Sequence, residues 1–276
     1  MGLMMKEKLL GNPIGRIAFF LRDKFHLIHT AYFYPEIAGK EANDQLANVL
    51  ITKICQSNKT FIDIGAHIGS ILSEVLYIDP SIKIIAIEPI PAKVDSLKRR
   101  FPSIELHNCA LGDFSGEVPF FVNIRESGYS SLSQIASSQV GEIVEITVPL
   151  KKLDDLVSSN DVDVIKIDVE GAELNVLRGA IAMLQKNRPT IMFESVLQLD
   201  SEFGYTKEEL YDFFNSNNYA ILIPNRLAHD DPGLSKEAFL EGHLYPRRTT
   251  NYFAIPRERR VEIRDRGRNI LNIPIN

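Results

Sequence analysis

The segment from Thr60 to Leu111 constrains the fold more than any other. Thr60-Phe-Ile-Asp-Ile64 is short and apolar, and it runs straight into Gly65. Ile68, Ile71, Leu72, Val75 and Leu76 then recur at helical spacing until Pro80. Lys83-Ile-Ile-Ala-Ile-Glu88 follows, then a polar stretch whose Val94 and Leu97 face inward, then Ile104–Leu111. Short continuous apolar runs bounded by glycine and proline read as strands buried on both faces. Strands alternating with helices of this length demand a parallel sheet with right-handed crossovers.

The rhythm breaks between 112 and 157. Glu117–Asn123 and Glu142–Pro149 read as a strand pair, with a Ser-rich loop at 127–138 between them, and Leu153-Asp-Asp-Leu-Val as a short helix. It resumes with a strand at Val162–Asp168, a helix over Ala172–Leu184 and a strand at Thr190–Glu194. A helix over Lys207–Ser216 and strands at Tyr219–Ile223 and Asn251–Pro256 complete about seven core strands, the last two forming an antiparallel edge. Residues 58–256 are therefore one α/β domain, 1–57 a helical N-terminal extension and 257–276 a charged C-terminal tail lying over the surface. Ile17-Ala-Phe-Phe-Leu21 is too short and too closely flanked by Arg16, Arg22 and Asp23 to span a membrane. A short amphipathic helix docked on the body is the expectation, with a membrane-surface contact through residues 9–21 as the alternative.

The turn after the first strand carries the chemistry. Gly65 lets the chain turn sharply, Gly69 lets the next helix approach the strand, and the helix start offers unpaired N–H groups. Ligands of open α/β sheets sit beyond such strand ends. The spacing Gly65-Ala-His-Ile-Gly69 is not the dinucleotide fingerprint, and Asp63 beside it would repel a pyrophosphate. A carboxylate there suits a cationic group, so the turn points to S-adenosylmethionine, which has an ammonium, a sulfonium and no phosphate. Glu88 ends the second strand about 20 residues past the turn, where a ribose-binding acid belongs. The third strand end, Asn108-Cys-Ala-Leu111, lies beside the adenine, while Asp113 caps the following turn.

With these pieces in order, the chain resembles the FkbM family of S-adenosylmethionine-dependent methyltransferases over residues 58–256. The resemblance rests on Phe61-Ile-Asp-Ile-Gly-Ala-His-Ile-Gly69, Ala86-Ile-Glu-Pro89, Ala110-Leu-Gly-Asp113, Leu153-Asp-Asp-Leu156 and, most diagnostically, Lys166-Ile-Asp-Val-Glu-Gly-Ala-Glu173. It implies a Rossmann-like class I methyltransferase fold and methyl transfer to a hydroxyl of a sugar, glycan or secondary metabolite. Asp63, Gly65, Ala66, His67, Gly69, Glu88, Pro89, Ala110, Leu111 and Asp168 are then the cofactor-binding residues. His67 stands where relatives often carry Asn.

A hydroxyl acceptor needs a base or a metal that lowers its pKa. Asp168 and Glu194 end adjacent strands, on the rim that faces the methyl donor. Asp168 as general base is one reading, and Asp168 with Glu194 holding a divalent cation is a second. Glu170 and Glu173 are also explained by acids favouring the first turn of a helix. Lys166 points away from Ile165 and Ile167 and is expected to ion-pair with a neighbouring carboxylate. His67 is a further catalytic candidate, or a hydrogen-bonding prop; His243 is either a site residue or a surface loop residue. Gly128-Tyr-Ser-Ser131 forms a lid or an ordinary loop, and Phe203, Tyr205 and Tyr245 either stack on a sugar or pack.

Bulk properties narrow the partners. A net charge of −5, a pI near 5.7 and no dense basic run argue against duplex nucleic acid. Cys55 and Cys109 lack metal spacing and suit reduced thiols in a cytoplasmic protein. A nicotinamide oxidoreductase and a non-catalytic cofactor-binding module are the rival functions.

Overall fold

The computed structural model describes residues 13–124, 130–133, 142–196 and 200–274. Two N-terminal helices, α1 (Pro13–Phe33) and α2 (Pro35–Ile51), precede β1 (Thr60–Ile64), α3 (Ser70–Ile78), β2 (Lys83–Ile87), α4 (Pro91–Arg100) and β3 (Glu105–His107). The short β4 (Ala110–Leu111), β5 (Gly116–Asn123) and β6 (Ile143–Lys151) form a separate sheet, in the order β4-β6-β5. The main chain rhythm returns with α5 (Leu153–Leu156), β7 (Val162–Ile167), α6 (Glu173–Arg178), α7 (Ile181–Asn187) and β8 (Thr190–Glu194). Last come α8 (Lys207–Ser216), β9 (Tyr219–Leu222), α9 (Lys236–Glu241), β10 (Asn251–Pro256) and α10 (Arg260–Leu271).

The seven-stranded sheet has the order β3-β2-β1-β7-β8-β10-β9. Its first five strands are parallel; β10 runs antiparallel to both neighbours, so the last strand lies inside the edge strand β9. Side chains alternate between two cores: Ile62, Ile64, Ile165 and Ile167 on one face, Phe61, Val164, Met192 and Phe253 on the other. Burial on both faces explains the unbroken apolar runs of β1 and β7. The expected third strand, Ile104–Leu111, is divided at Asn108 between the two sheets; Asn108 Nδ2 donates to the carbonyls of Glu88 and Pro89 and ties the break to the end of β2.

Two expectations fail outside the site. The region after Arg257 is not a surface tail. Helix α10 buries Ile263 completely, and Arg259 and Arg266 each reach an oxygen of the buried Asp163 of β7 at 2.7 Å. Its charges looked solvated because the partners lie about 100 residues away in sequence. Helix α1 rests on α2 through one face only and leaves its apolar stripe in solvent. Residues 9–12 of the suggested membrane contact, and Gly128 and Tyr129 of the suggested lid, lie outside the described residues. Among the described residues, no helix is long and apolar enough to cross a membrane.

Candidate active site

The carboxyl ends of β1, β2, β7 and β8 open into a cavity of about 320 Å³. Its wall includes Asp63, Gly65, Ala66, His67, Glu88, Pro89, Ala110, Leu111, Asp168 and Glu194, which is every proposed site residue except Gly69. Gly65 has φ +79°, and a Cβ there would meet the carbonyl oxygen of Asp168 at 1.9 Å. No side chain fits, because the ends of β1 and β7 touch backbone to backbone at this point. Gly69 also has positive φ, but a Cβ there would strike Leu97 and Phe101 at 2.7 Å. It admits α4 against α3 rather than α3 against the strand.

Glu88 is buried. Its Oε2 accepts from the His67 N–H at 2.9 Å and its Oε1 from the Ile90 N–H at 3.0 Å. Each oxygen keeps a further lone pair, a match for two vicinal hydroxyls. Burial raises its pKa, opposed by Lys93 and these two amides. His67, at φ +51°, is fixed by the Glu88 carboxylate through its own backbone.

Asp63 differs from expectation. It faces Lys166 across the β1–β7 register, and Lys166 Nζ lies 3.2 Å from Asp63 Oδ1 and 3.3 Å from Asp168 Oδ2. The side-chain direction and ion pairing expected of Lys166 are both present. Burial opposes the Lys166 charge, but Asp168 and Asp63 outweigh it and hold its pKa above the usual lysine range. Asp63 is thus compensated from within the protein and does not stand as a free acceptor for a ligand ammonium.

A cluster of acids lies further along the rim, of which only Asp168 is paired with Lys166. Oxygens of Asp168, Glu170 and Glu194 all fall within 4.8 Å of one another. Burial, then the charges of Asp168 and Glu173, pushes Glu170 up to about 8. Burial, then Asp168 and Glu170, raises Glu194 well above the carboxylate range, and Glu194 hydrogen-bonds Asp168. Glu170 lies in the loop after Asp168, on the rim, and not in the first turn of α6 as the capping alternative had it. It sits in a left-handed turn at φ +55° followed by Gly171 at +109°, and this turn carries it into the cavity. Glu173 does open α6, but it is buried and accepts from the Val169 and Gly171 N–H groups at 3.3 and 3.2 Å, which fixes that turn.

Several candidates leave the site. His243 is neither at the cavity wall nor on the surface: it is buried, its Nδ1–H donates to Phe239 O at 2.8 Å, and Ser195 Oγ donates to its Nε2 at 2.9 Å. Burial, then Lys207, lowers its pKa to about 4, so it remains a neutral tether for the residue after Glu194. Tyr205 is buried with its hydroxyl on Gly171 O, Phe203 packs against the core, and Tyr245 is exposed with its hydroxyl on Glu36; none lines the cavity. Ser130, from the suggested lid, lines the cavity, whereas cavity residues missed from sequence include Asn48, Lys93, Phe120, Leu132 and Asn251. Lys93 had a signal: it falls on the inward stripe with Val94 and Leu97.

The lining suits a cation better than a phosphate, with carboxylates Asp63, Glu88, Asp168, Glu170 and Glu194 facing only two lysines, Lys93 and Lys166. A glycine cradle, a buried acid at the end of β2 and a β8-β10-β9 edge with one reversed strand define a Rossmann-like class I methyltransferase. The Methyltransferase FkbM domain matches residues 63–221, and this chain belongs to that family of S-adenosylmethionine-dependent methyltransferases. Methyltransferase sdnD of Sordaria araneosa is 28% identical over 200 residues, 59% of this chain and 73% of that protein. The crystal structure of Methyltransferase FkbM from Methylobacillus flagellatus KT is similar at 19% identity and a TM-score of 0.44 over 71% of this chain, which spans 43% of that one. The plantazolicin methyltransferase BamL, solved with a triazolic desmethylPZN analog and SAH, is similar at 9% identity and a TM-score of 0.38 over 92% of this chain and 94% of that one.

Proposed function

We propose that this chain methylates a hydroxyl oxygen of a small-molecule or glycan acceptor, a sugar or a secondary metabolite, with Asp168 as the proton acceptor. The observation that carries this is the position of Asp168. Its side chain, 40% exposed, is the open end of a buried Lys166–Asp63 pair, and Glu194 hydrogen-bonds it from the adjacent strand. Bound S-adenosylmethionine supplies a methyl carbon activated by its sulfonium, to which the acceptor oxygen bonds as the carbon–sulfur bond breaks and its electron pair returns to sulfur. Asp168 takes the hydroxyl proton as that bond forms. Lys166 holds Asp168 in place through Oδ2, and Glu194, keeping its proton, lies beside Asp168 and donates to it. Glu88 holds the ribose hydroxyls, while Gly65 keeps the cradle clear of side chains. His67 acts as a prop, since its amide is committed to Glu88.

The cluster supports a second reading. Asp168, Glu170 and Glu194 are placed to ligate a divalent cation that would bind the acceptor hydroxyl. Asp168→Asn separates the reactions from binding. It is expected to keep S-adenosylmethionine binding by calorimetry and to lose roughly 10²-fold or more of labelled-methyl transfer to a panel of hydroxylated acceptors. Undiminished transfer refutes the assignment of the base. Loss of activity on chelation, restored by Mg²⁺, selects the cation reading instead.

A further inference from the structure

We propose that the outer face of α1, with the loop at 244–248, docks on an anionic lipid surface. Ile17, Phe20, Leu21, Phe25, Ile28 and Tyr32 recur at i, i+3, i+4, i+8, i+11 and i+15, and all are between 59 and 79% exposed. That spacing places them on one face of a helix. The opposite face is already engaged. Gln45 Nε2 donates to Asp23 O at 2.8 Å, His26 lies 3.2 Å from Glu41, and Thr30 is buried. The helix is thus held on α2 with its apolar stripe turned outward, a contiguous patch of the kind soluble surfaces rarely leave bare.

The charge around the stripe identifies the occupant. The sequence of α1 holds three Lys and Arg against one Asp, a net +2, whereas the remaining residues carry −7. At the rim end of α1, Phe33 and Tyr34 are exposed beside Leu244 and Tyr245, and the Tyr245 hydroxyl donates to Glu36 across the gap. Next to them a cleft is lined by four cations, Lys40, Arg226, Arg247 and Arg248, against two acids, Glu36 and Asp231; Lys40 pairs with Asp44 and Arg226 with Asp231. Among the described residues, the guanidinium groups of Arg247 and Arg248 have neither an ion pair nor a hydrogen bond; the Arg248 backbone is engaged, its N–H on Gly242 O at 3.1 Å and its carbonyl accepting from Asn43 Nδ2 at 2.9 Å. An apolar stripe rich in Phe and Tyr, edged by unpaired cations on an otherwise acidic protein, matches the interface of an anionic bilayer, where rings lie at the headgroups and Arg meets phosphate. A second copy fits poorly, because pairing this face with itself opposes like charges. The loop at 244–248 continues through Thr249 and Thr250 to Asn251 at the cavity wall, so docking places headgroups beside the mouth of the active site. Docking does not depend on the proposed reaction, and the two stand or fall separately.

The test is flotation of the purified chain with vesicles of phosphatidylcholine alone or mixed with phosphatidylglycerol. The wild type is expected to float with the mixed vesicles only, and less as salt is raised. Phe25→Glu/Ile28→Glu and Arg247→Glu/Arg248→Glu are each expected to lower partitioning at least about tenfold while leaving S-adenosylmethionine binding by calorimetry unchanged. A wild type that floats with neither vesicle or equally with both, or variants that float as the wild type does, overturns the proposal. So does a dimer in light scattering that Phe25→Glu/Ile28→Glu dissociates, which gives the stripe to a second copy.

Discussion

Replacing Glu173 by Gln should abolish a pH dependence of stability that the buried carboxyl imposes. Glu173 is 2% exposed, and burial, partly offset by the Lys207 charge and the Gly171 and Val169 amides, pushes its pKa from 4.5 to about 7. A carboxyl raised on folding contributes stability that is fully present below its unfolded pKa and lost as pH rises through its folded pKa. The window therefore runs from about pH 4.5 to just above 7. A shift of about 2.5 units corresponds to roughly 3 kcal/mol at 1.36 kcal/mol per unit. The Gln amide oxygen can accept the Val169 and Gly171 N–H groups as Oε1 does now, so the turn that carries Glu170 survives. Denaturant melts of both proteins at pH 5, 6, 7 and 8 read the effect together with the part of the Glu170 shift that the Glu173 charge causes, which has the same sign. The stability of Glu173→Gln relative to wild type should rise by about 2.5 kcal/mol from pH 5 to pH 8, or about 5–10 °C in Tm for a chain of this size. Parallel curves would refute the assignment.

Gly65→Ala puts a methyl where the Asp168 carbonyl stands and is expected to abolish S-adenosylmethionine binding by calorimetry, whereas Gly204→Ala, with open space around it, should cost only about 1–2 kcal/mol for its left-handed φ. Asp163→Ala strands Arg259 and Arg266 and should destabilise the chain by about 3 kcal/mol or more in chemical denaturation, with α10 losing amide protection first.

How legible the molecule was depended on the range of the interactions. The β1 and β7 runs and the turn at Gly65 were readable because both-faced burial and a sharp turn each leave a local signature. Lys166 was readable because strand periodicity fixes the face of a side chain and a buried lysine needs an acid. Which acid it would take was not: the β1–β7 register that aligns Asp63 with Lys166 joins residues 103 apart, and this pairing withdrew Asp63 from its expected role as ammonium acceptor. Glu170 was open between the rim and a helix cap because its φ of +55° depends on Glu173 holding the following turn, and nothing in an acidic helix start announces that. His243 was open between loop and site because its partner, Ser195, is 48 residues away. Helix α10 was taken for a tail because its arginines are charges that face inward to Asp163.

The placement of β10 has a consequence for synthesis. Residues 251–256 fill the slot between β8 and β9, pairing four residues with each. Until they emerge, a growing chain has two bare strand edges and no means of joining them. The Asp44 carboxylate of α2 also waits for this segment, accepting from the Thr249 hydroxyl and the Thr250 N–H. Helix α2 and β10 therefore latch at one point, and the sheet closes only after residue 256 has been made. A nascent chain halted before Asn251 is a polypeptide with open edges, and the cell must shield it from its neighbours until its final strand arrives.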